Sequence, residues 1–379
     1  MLQEDYFKSQ QQAMIDLIVD MARIESPSHN KVAVDRMGAF IEARLQQLGA
    51  DVMRLFRDEV GDILFAKWNA NAPGKPILFL CHIDTVWAEG TLEHMPIHLS
   101  EDGRLYGPGT LDMKSGIALM MEAIRGLQEN DQFPNRPIWA LLTSDEEIGS
   151  NHSEEVIREI AQKSGLVLVM EPATPEGALK IWRKGVAAYR LHITGKASHA
   201  GGAPEQGINA LIELAQQAIR LHGMNDIKNG TSVSVTMAEG GSALNVIPAN
   251  AILGVDTRFL KMTAMQTVQQ AIESTVPFIP GAKVEIETVH SRPPMEYDAL
   301  MRATFEKAQQ IGAKYGITIR GEGSGGVSDG NFTASIGIPT LDGLGPIGDG
   351  AHAAHEHVLV RSLPQRAALI AAILTEWTF

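Results

Sequence analysis

Two N-terminal segments carry apolar residues at helical spacing. Met14, Leu17, Ile18 and Met21 recur at i, i+3, i+4 and i+7, and Val34, Met37, Ile41, Leu45 and Leu48 repeat the pattern until Gly49 stops it. Three short apolar runs follow: Ile77 to Cys81, Ile138 to Thr143, and Leu166 to Met170. They lack the polar alternation of a half-exposed strand, so each predicts a strand buried on both faces. A helix is predicted over Lys114 to Leu127, with Ile117, Met120, Ile124 and Leu127 among its apolar positions. Strand, helix, strand, helix, strand predicts an α/β core with a mostly parallel sheet.

The texture changes after residue 178. Strands are predicted at Ala187 to Thr194, Thr231 to Met237, Ala251 to Phe259 and Lys283 to Thr288, with helices at Asn209 to Leu221 and Ala264 to Val276. That βαββαβ order predicts a compact α+β unit of ferredoxin-like type. Arg292-Pro293-Pro294 reads as a return linker to the first unit, which ends on an apolar helix over Leu363 to Leu374. The expected organisation is therefore a discontinuous domain of residues 1–178 and 293–379, with residues 179–292 inserted.

Composition narrows the function. The 379 residues carry 32 Lys plus Arg against 45 Asp plus Glu, a formal net charge of -13. Such a field repels nucleic acid and anionic membrane, so neither is an expected partner. No apolar run reaches the roughly 18 residues of a membrane span, and the polar, acidic start MLQEDYFKSQQQ does not read as a signal peptide. A cytoplasmic protein is expected. The single cysteine, Cys81, excludes internal disulfides and cysteine-based metal clusters, and its apolar strand predicts a buried core thiol.

The candidate chemistry lies where the predicted strands end, which is where open α/β sheets bind their ligands. The first run ends in Cys81-His82-Ile83-Asp84, the second in Ser144-Asp145-Glu146-Glu147, the third in Glu171-Pro172. Between the first two, the glycine turn Tyr106-Gly107-Pro108-Gly109 delivers Asp112 to a helix start. So many carboxylates on one rim would repel and partly protonate unless divalent cations neutralised them. The mixture of imidazole and carboxylate suits zinc best. A second histidine is expected from the tail, Gly350-Ala351-His352-Ala353-Ala354-His355-Glu356-His357.

Seven motifs in this order resemble the co-catalytic zinc peptidases, the family of glutamate carboxypeptidase, acetylornithine deacetylase, succinyl-diaminopimelate desuccinylase and aminoacylase. They are His82-x-Asp84, Gly107-x-Gly109-x-x-Asp112-x-Lys114, Asp145-Glu146-Glu147, Glu171-Pro172, Ser198-His199-Ala200-Gly201, Asn245-x-Ile247-Pro248 and Asp256-x-Arg258. The resemblance implies two zinc ions per subunit, with cobalt or manganese able to take their place. Asp112 would bridge them, His82 and Glu171 completing one site, Glu147 and a tail histidine the other. His352 follows a small residue and precedes a glutamate by four, as the family's tail ligand does; His355, directly before Glu356, does not. Asp84 would orient His82 through its second nitrogen, and Glu146 would be the general base toward a metal-bound water.

The inserted unit would then be a lid and dimerisation domain. His199 would reach the partner subunit's site and stabilise the tetrahedral oxyanion, while Asn245 and Arg258 would contact substrate, Arg258 through a carboxylate. The stretches GKASHAGGAPEQGINAL and His82-x-Asp84-Thr85-Val86 resemble the glutamate carboxypeptidase branch. This implies a zinc exopeptidase that releases a C-terminal amino acid, glutamate as the first expectation, from a small peptide. An N-acyl-amino-acid deacylase is the alternative reaction, and a non-catalytic metal- or peptide-binding dimer the alternative class. Gly321-x-Gly323-x-x-Gly326 formally matches a dinucleotide fingerprint after a strand-like Ile317 to Arg320. It lies far from the first βαβ unit, so a nicotinamide enzyme is not expected. The resemblance makes it a loop with Ser328, Asp329 and Asn331 near substrate. Trp87 is left open between a pocket wall and loop packing.

Overall fold

A computed structural model describes residues 4–379. The chain divides into two compact units. One comprises the residues up to Trp182, Tyr297–Ser324 and Ser328–Phe379; the other comprises Arg183–Glu296 and Gly325–Val327.

The first unit is built on a six-stranded sheet. Its strands are β1 (Asp51–Leu55), β2 (Ile63–Trp68), β3 (Ile77–His82), β4 (Ile138–Thr143), β5 (Leu166–Val169) and a short last strand, Thr340–Leu341, in the order β1-β2-β4-β3-β5-last. β3, β4, β5 and the last strand run parallel, while β1 and β2 pair antiparallel at one edge. All six residues of β3 are buried because both faces are covered. Phe79 and Cys81 point into one core with the helices Gln11–Ala22, Lys31–Gln47, Ser115–Glu129 and Leu363–Glu376. Leu78 and Leu80 point into the other, against Ile157 of the helix Glu154–Gln162 and Phe332. The period of two along β3 thus feeds two separate helical layers. Each such side chain contributes about 1.5–3 kcal/mol when fully buried, which makes this sheet a rigid platform for its loops. Burial also pushes the Cys81 thiol well above its ordinary pKa, as a core thiol requires.

The second unit is a four-stranded antiparallel sheet. Its strands β6 (Gly185–Thr194), β7 (Ser232–Gly240), β8 (Asn250–Phe259) and β9 (Lys283–Arg292) lie in the order β7-β8-β6-β9. With the helices Ala210–His222 and Met262–Glu273 this is the ferredoxin-like arrangement expected from the βαββαβ order. Ala187, Tyr189, Leu191 and Ile193 face the helices, and Arg190 faces away exposed. The second helix stops at Glu273, three residues before the expected end. Pro277 keeps Val276 out of helical geometry, so the helix cannot run to the expected end.

The glycine motif departs from expectation. The strand lies on the motif itself, Gly321–Ser324, paired with Leu179–Arg183; Ile317 to Arg320 is not a strand. A Cβ at Gly323 would sit 1.7 Å from the Trp182 indole. The glycine serves close packing, and no phosphate-cradling turn into a helix follows it.

Candidate active site

β3, β4 and β5 end side by side, with His82 opposite Thr143 and Leu80 opposite Val169. The residues just beyond them therefore meet on one rim. His82 closes β3 and is 2 % exposed. Its Nε2 lies 3.0 Å from Asp112 Oδ1 and 3.5 Å from Glu171 Oε1. Asp112 reaches it from the turn after Gly109, whose φ of 68° is the left-handed geometry that favours glycine. From the tail, His352 brings Nε2 to 3.1 Å from Glu147 Oε2 and 3.4 Å from Asp112 Oδ2. His352 itself has a φ of 63°, a conformation uncommon for a residue with a Cβ. Asp112 thus faces both imidazoles, one through each oxygen. Glu146 also belongs to the cluster: donor atoms of His82, Glu146 and Glu171 lie within 4.8 Å of one another, as do those of His82, Asp112 and Glu147.

Asp84 faces the second ring nitrogen of His82. The His82 Nδ1 lies 3.0 Å from the Asp84 main-chain carbonyl and 3.5 Å from its carboxylate. The carboxylate accepts the Ser28 hydroxyl at 2.7 Å and the main-chain N–H groups of Glu146 and Glu147 at 3.3 and 3.2 Å. Asp84 is therefore a brace between β3 and the turn that carries the two glutamates. Asp145, from the same acidic triplet, turns away from the rim. It is fully buried and accepts the Ser153 hydroxyl and the His152 N–H, and burial pushes its pKa up.

Electrostatics in this cluster are strained. Burial opposes charge on His82, yet Asp112, Asp84 and Glu171 outweigh it and raise the pKa well above an ordinary imidazole's. Hydrogen bonds to Asp112 and Glu147 raise His352 to about 10. Burial likewise opposes the Asp112 carboxylate, but His352 and His82 hold it well below the usual carboxylate range. Glu147 is pushed up to about 8 by burial. Its Oε1 is buried with no hydrogen-bond partner among the described residues. An orphaned carboxylate oxygen among two imidazoles and further carboxylates fits a divalent cation, which would satisfy that oxygen and remove the repulsion. The residues that could hold cations are His82, Asp112, Glu146, Glu147, Glu171 and His352.

The remaining candidates have distinct settings. His355 is exposed, and its carbonyl faces the His357 Nδ1 at 2.9 Å. Trp87 donates its indole N–H to Glu356 Oε2 at 2.7 Å, so it packs on the tail loop. Ser328, Asp329 and Asn331 are buried. Asp329 accepts the Thr143 hydroxyl at 2.9 Å and the Ser150 hydroxyl at 2.5 Å, joining both ends of the turn that carries Glu146 and Glu147. Asp329→Ala removes that acceptor and should destabilise the protein by about 2–3 kcal/mol, read as a lower midpoint in denaturant unfolding.

In the second unit, His199 and Asn245 lie close together. His199 pairs with Val246, and the Ala200 N–H donates to the Asn245 carbonyl. The Gly201 and Gly202 N–H groups both donate to His199 Nδ1, at 3.1 and 3.0 Å. Nδ1 is therefore the acceptor nitrogen, and the ring proton sits on Nε2. Arg258 has its guanidinium fork engaged by Asp256, at 2.9 and 3.0 Å.

Residues 78–376 match the model of peptidase family M20/M25/M40. The chain belongs to this family. As an M20 protein it is a hydrolase of the peptidase or amidohydrolase kind, and its members typically bind metal. It is similar to carboxypeptidase G2 of Pseudomonas sp. (strain RS-16), at 31% identity, covering 97% of this chain and 90% of the relative. It is also similar to a succinyl-diaminopimelate desuccinylase of Delftia acidovorans, at 29% identity over 79% of this chain and 81% of that one. Among solved structures, aminopeptidase PepT from Bacillus cereus superposes with a TM-score of 0.78 at 25% identity, over 97% of this M20 chain and 98% of that one.

Proposed function

We propose that this M20 protein is a zinc-dependent exopeptidase of the carboxypeptidase kind, releasing a C-terminal amino acid, glutamate foremost, from a small peptide or N-acyl substrate. The observation that carries the chemistry is the cluster in which half-buried Glu146 lies beside buried His82 and Glu171. The choice of reaction is supported by the likeness to carboxypeptidase G2 across nearly the whole chain. His82, Asp112 and Glu171 would hold one cation, and Glu147, Asp112 and His352 the other. The chemistry supplied by cations there is polarisation of the amide carbonyl and a lowered pKa for water.

The chain's own residues do the rest. Glu146 takes the proton from the attacking water and returns it to the leaving nitrogen. Asp84 holds the N–H groups of Glu146 and Glu147 and, through its carbonyl, the His82 ring. Substrate contacts are assigned to His199, Asn245 and Arg258. The Nε2–H form of His199 suits donation to a developing oxyanion, and a substrate carboxylate would compete with Asp256 for the Arg258 fork. A homodimer through the second unit belongs to the same reading. Ile219 and Ile227, exposed within that unit, support it.

Likeness to the desuccinylases favours a second reading, an N-acyl-amino-acid deacylase using the same residues. A substrate panel separates the two. Metal-loaded protein is expected to release glutamate from N-aroyl-glutamates and to leave N-acetyl-ornithine and N-succinyl-diaminopimelate largely intact. The reverse preference would replace the carboxypeptidase reading with the deacylase one.

A further inference from the structure

Asp112 and His352 come from turns 240 residues apart in the chain, yet both must be placed against Glu147 and His82. Glu356 connects the turns. It is completely buried, and both of its carboxylate oxygens are used. Oε1 accepts the main-chain N–H groups of Leu111 at 2.8 Å and Asp112 at 3.0 Å. Oε2 accepts the Gly109 N–H at 2.9 Å and the Trp87 indole N–H at 2.7 Å. Its main chain adds a third link, because the Gly107 N–H donates to the Glu356 carbonyl at 3.3 Å.

On the other side, Glu356 closes the turn that carries His352. Its N–H donates to the Ala353 carbonyl at 2.9 Å, and the Ala353 N–H to the Gly350 carbonyl at 2.8 Å. Gly350 and His352 both have left-handed backbones, with φ of 80° and 63°. Glu356 anchors the end of that turn. Through Trp87 it also holds the loop that follows His82 and Asp84. One side chain therefore fastens three segments, those carrying His82, Asp112 and His352.

We propose that Glu356 is the positioning residue of the metal cluster: it sets the Asp112 N–H turn and the His352 turn at the separation that lets both side chains meet one cation. The proposal rests on the metallohydrolase reading above. Asp112 is tied to Glu356 directly and His352 through its turn, so the cation that both would hold depends on Glu356.

Glu356→Gln tests this sharply. The glutamine oxygen can still face Leu111 and Asp112, but its NH2 then meets the N–H donors of Gly109 and Trp87. Wild type and variant would be titrated with Co(II), following visible absorption and calorimetric affinity for each equivalent. Affinity for at least one equivalent is expected to fall by about tenfold to a hundredfold, the range for loss of a group that orients a ligand, with an altered absorption band. Trp87→Phe removes a single donor and keeps the test available if Glu356→Gln does not fold; a lesser loss at the same equivalent is expected. Glu213→Gln is the control for general destabilisation, because Glu213 is a fully buried carboxylate that accepts the Phe278 and Ile279 N–H groups in the second unit. It should leave both affinities unchanged. Unchanged affinities and spectrum in Glu356→Gln, or equal losses in Glu213→Gln, would overturn the positioning role while leaving the metallohydrolase reading intact. Wild-type protein that binds no Co(II) would overturn both.

Discussion

Glu146→Gln will keep its fold and its metal and lose hydrolysis. Glutamine matches glutamate in shape and can retain a hydrogen bond, but it cannot accept a proton from water. The loss of a general base costs about 10²–10⁴-fold in rate. The setting makes this substitution informative, because Glu146 shares a cluster with His82 and Glu171 in which each offers an atom within 4.8 Å of the others. A ligand and a base at that position would fail differently. If Glu146 is the base, metal content stays at the wild-type value while kcat falls by that factor. A variant that loses one equivalent of metal would make Glu146 a ligand instead. Full turnover in the metal-loaded variant would remove it from the mechanism altogether.

The second large effect separates two neighbouring histidines. His352→Ala should lose one metal equivalent and at least about a hundredfold in activity, whereas His355→Ala should stay within about twofold of wild type on both. The reason is geometric. His352 Nε2 stands 3.1 Å from Glu147 and 3.4 Å from Asp112, held there by a left-handed backbone that Gly350 and the Ala353 N–H bond stabilise. Without that imidazole, Glu147 keeps a buried oxygen that already has no hydrogen-bond partner among the described residues. Both histidines are exposed on this loop, so the difference lies in the carboxylates that His352 faces and not in burial. Metal analysis after gel filtration, beside kcat and KM for each variant, reads the difference. Equal damage from both substitutions would contradict the assignment of the tail ligand.

Much of this arrangement was legible along the chain, and the part that was not has identifiable causes. β3, β4 and β5 were legible because a strand buried on both faces needs an unbroken apolar run, and Ile77 to Cys81 supplies one. Chemistry-bearing residues at the ends of such runs follow from the topology of parallel sheets. The direction of each side chain does not. Asp145, Glu146 and Glu147 are three acids in a row, and nothing in their spacing says that Asp145 turns inward to Ser153 while its neighbours face the cluster. Asp84 likewise reads as a partner for His82, but which of its oxygens serves depends on how Ser28 and the Glu146 and Glu147 N–H groups compete for the carboxylate.

Short elements escaped for a different reason. The strands His98–Leu99, Arg104–Tyr106, Gly348–Asp349 and His357–Leu359 have two or three residues each, too few to show a period. Yet they form the small sheet that brings the tail beside the glycine turn, with His357 paired to Tyr106. Glu356 was visible in the sequence only as a marker of spacing from His352. Its bonds to Gly109, Leu111, Asp112 and Trp87 are long-range and appear only in the folded chain.

The central proposal is that the cluster of His82, Asp112, Glu147, Glu171 and His352 holds divalent cations and uses them to cleave an amide. The most direct measurement is the metal content of protein stripped with chelator, reloaded with zinc and desalted, taken together with glutamate release from an N-aroyl-glutamate. The account predicts about two equivalents per chain, as in two-metal hydrolytic sites, and activity that disappears with the metal and returns with it. Protein that retains no zinc, or that hydrolyses the substrate equally well after stripping, would contradict it.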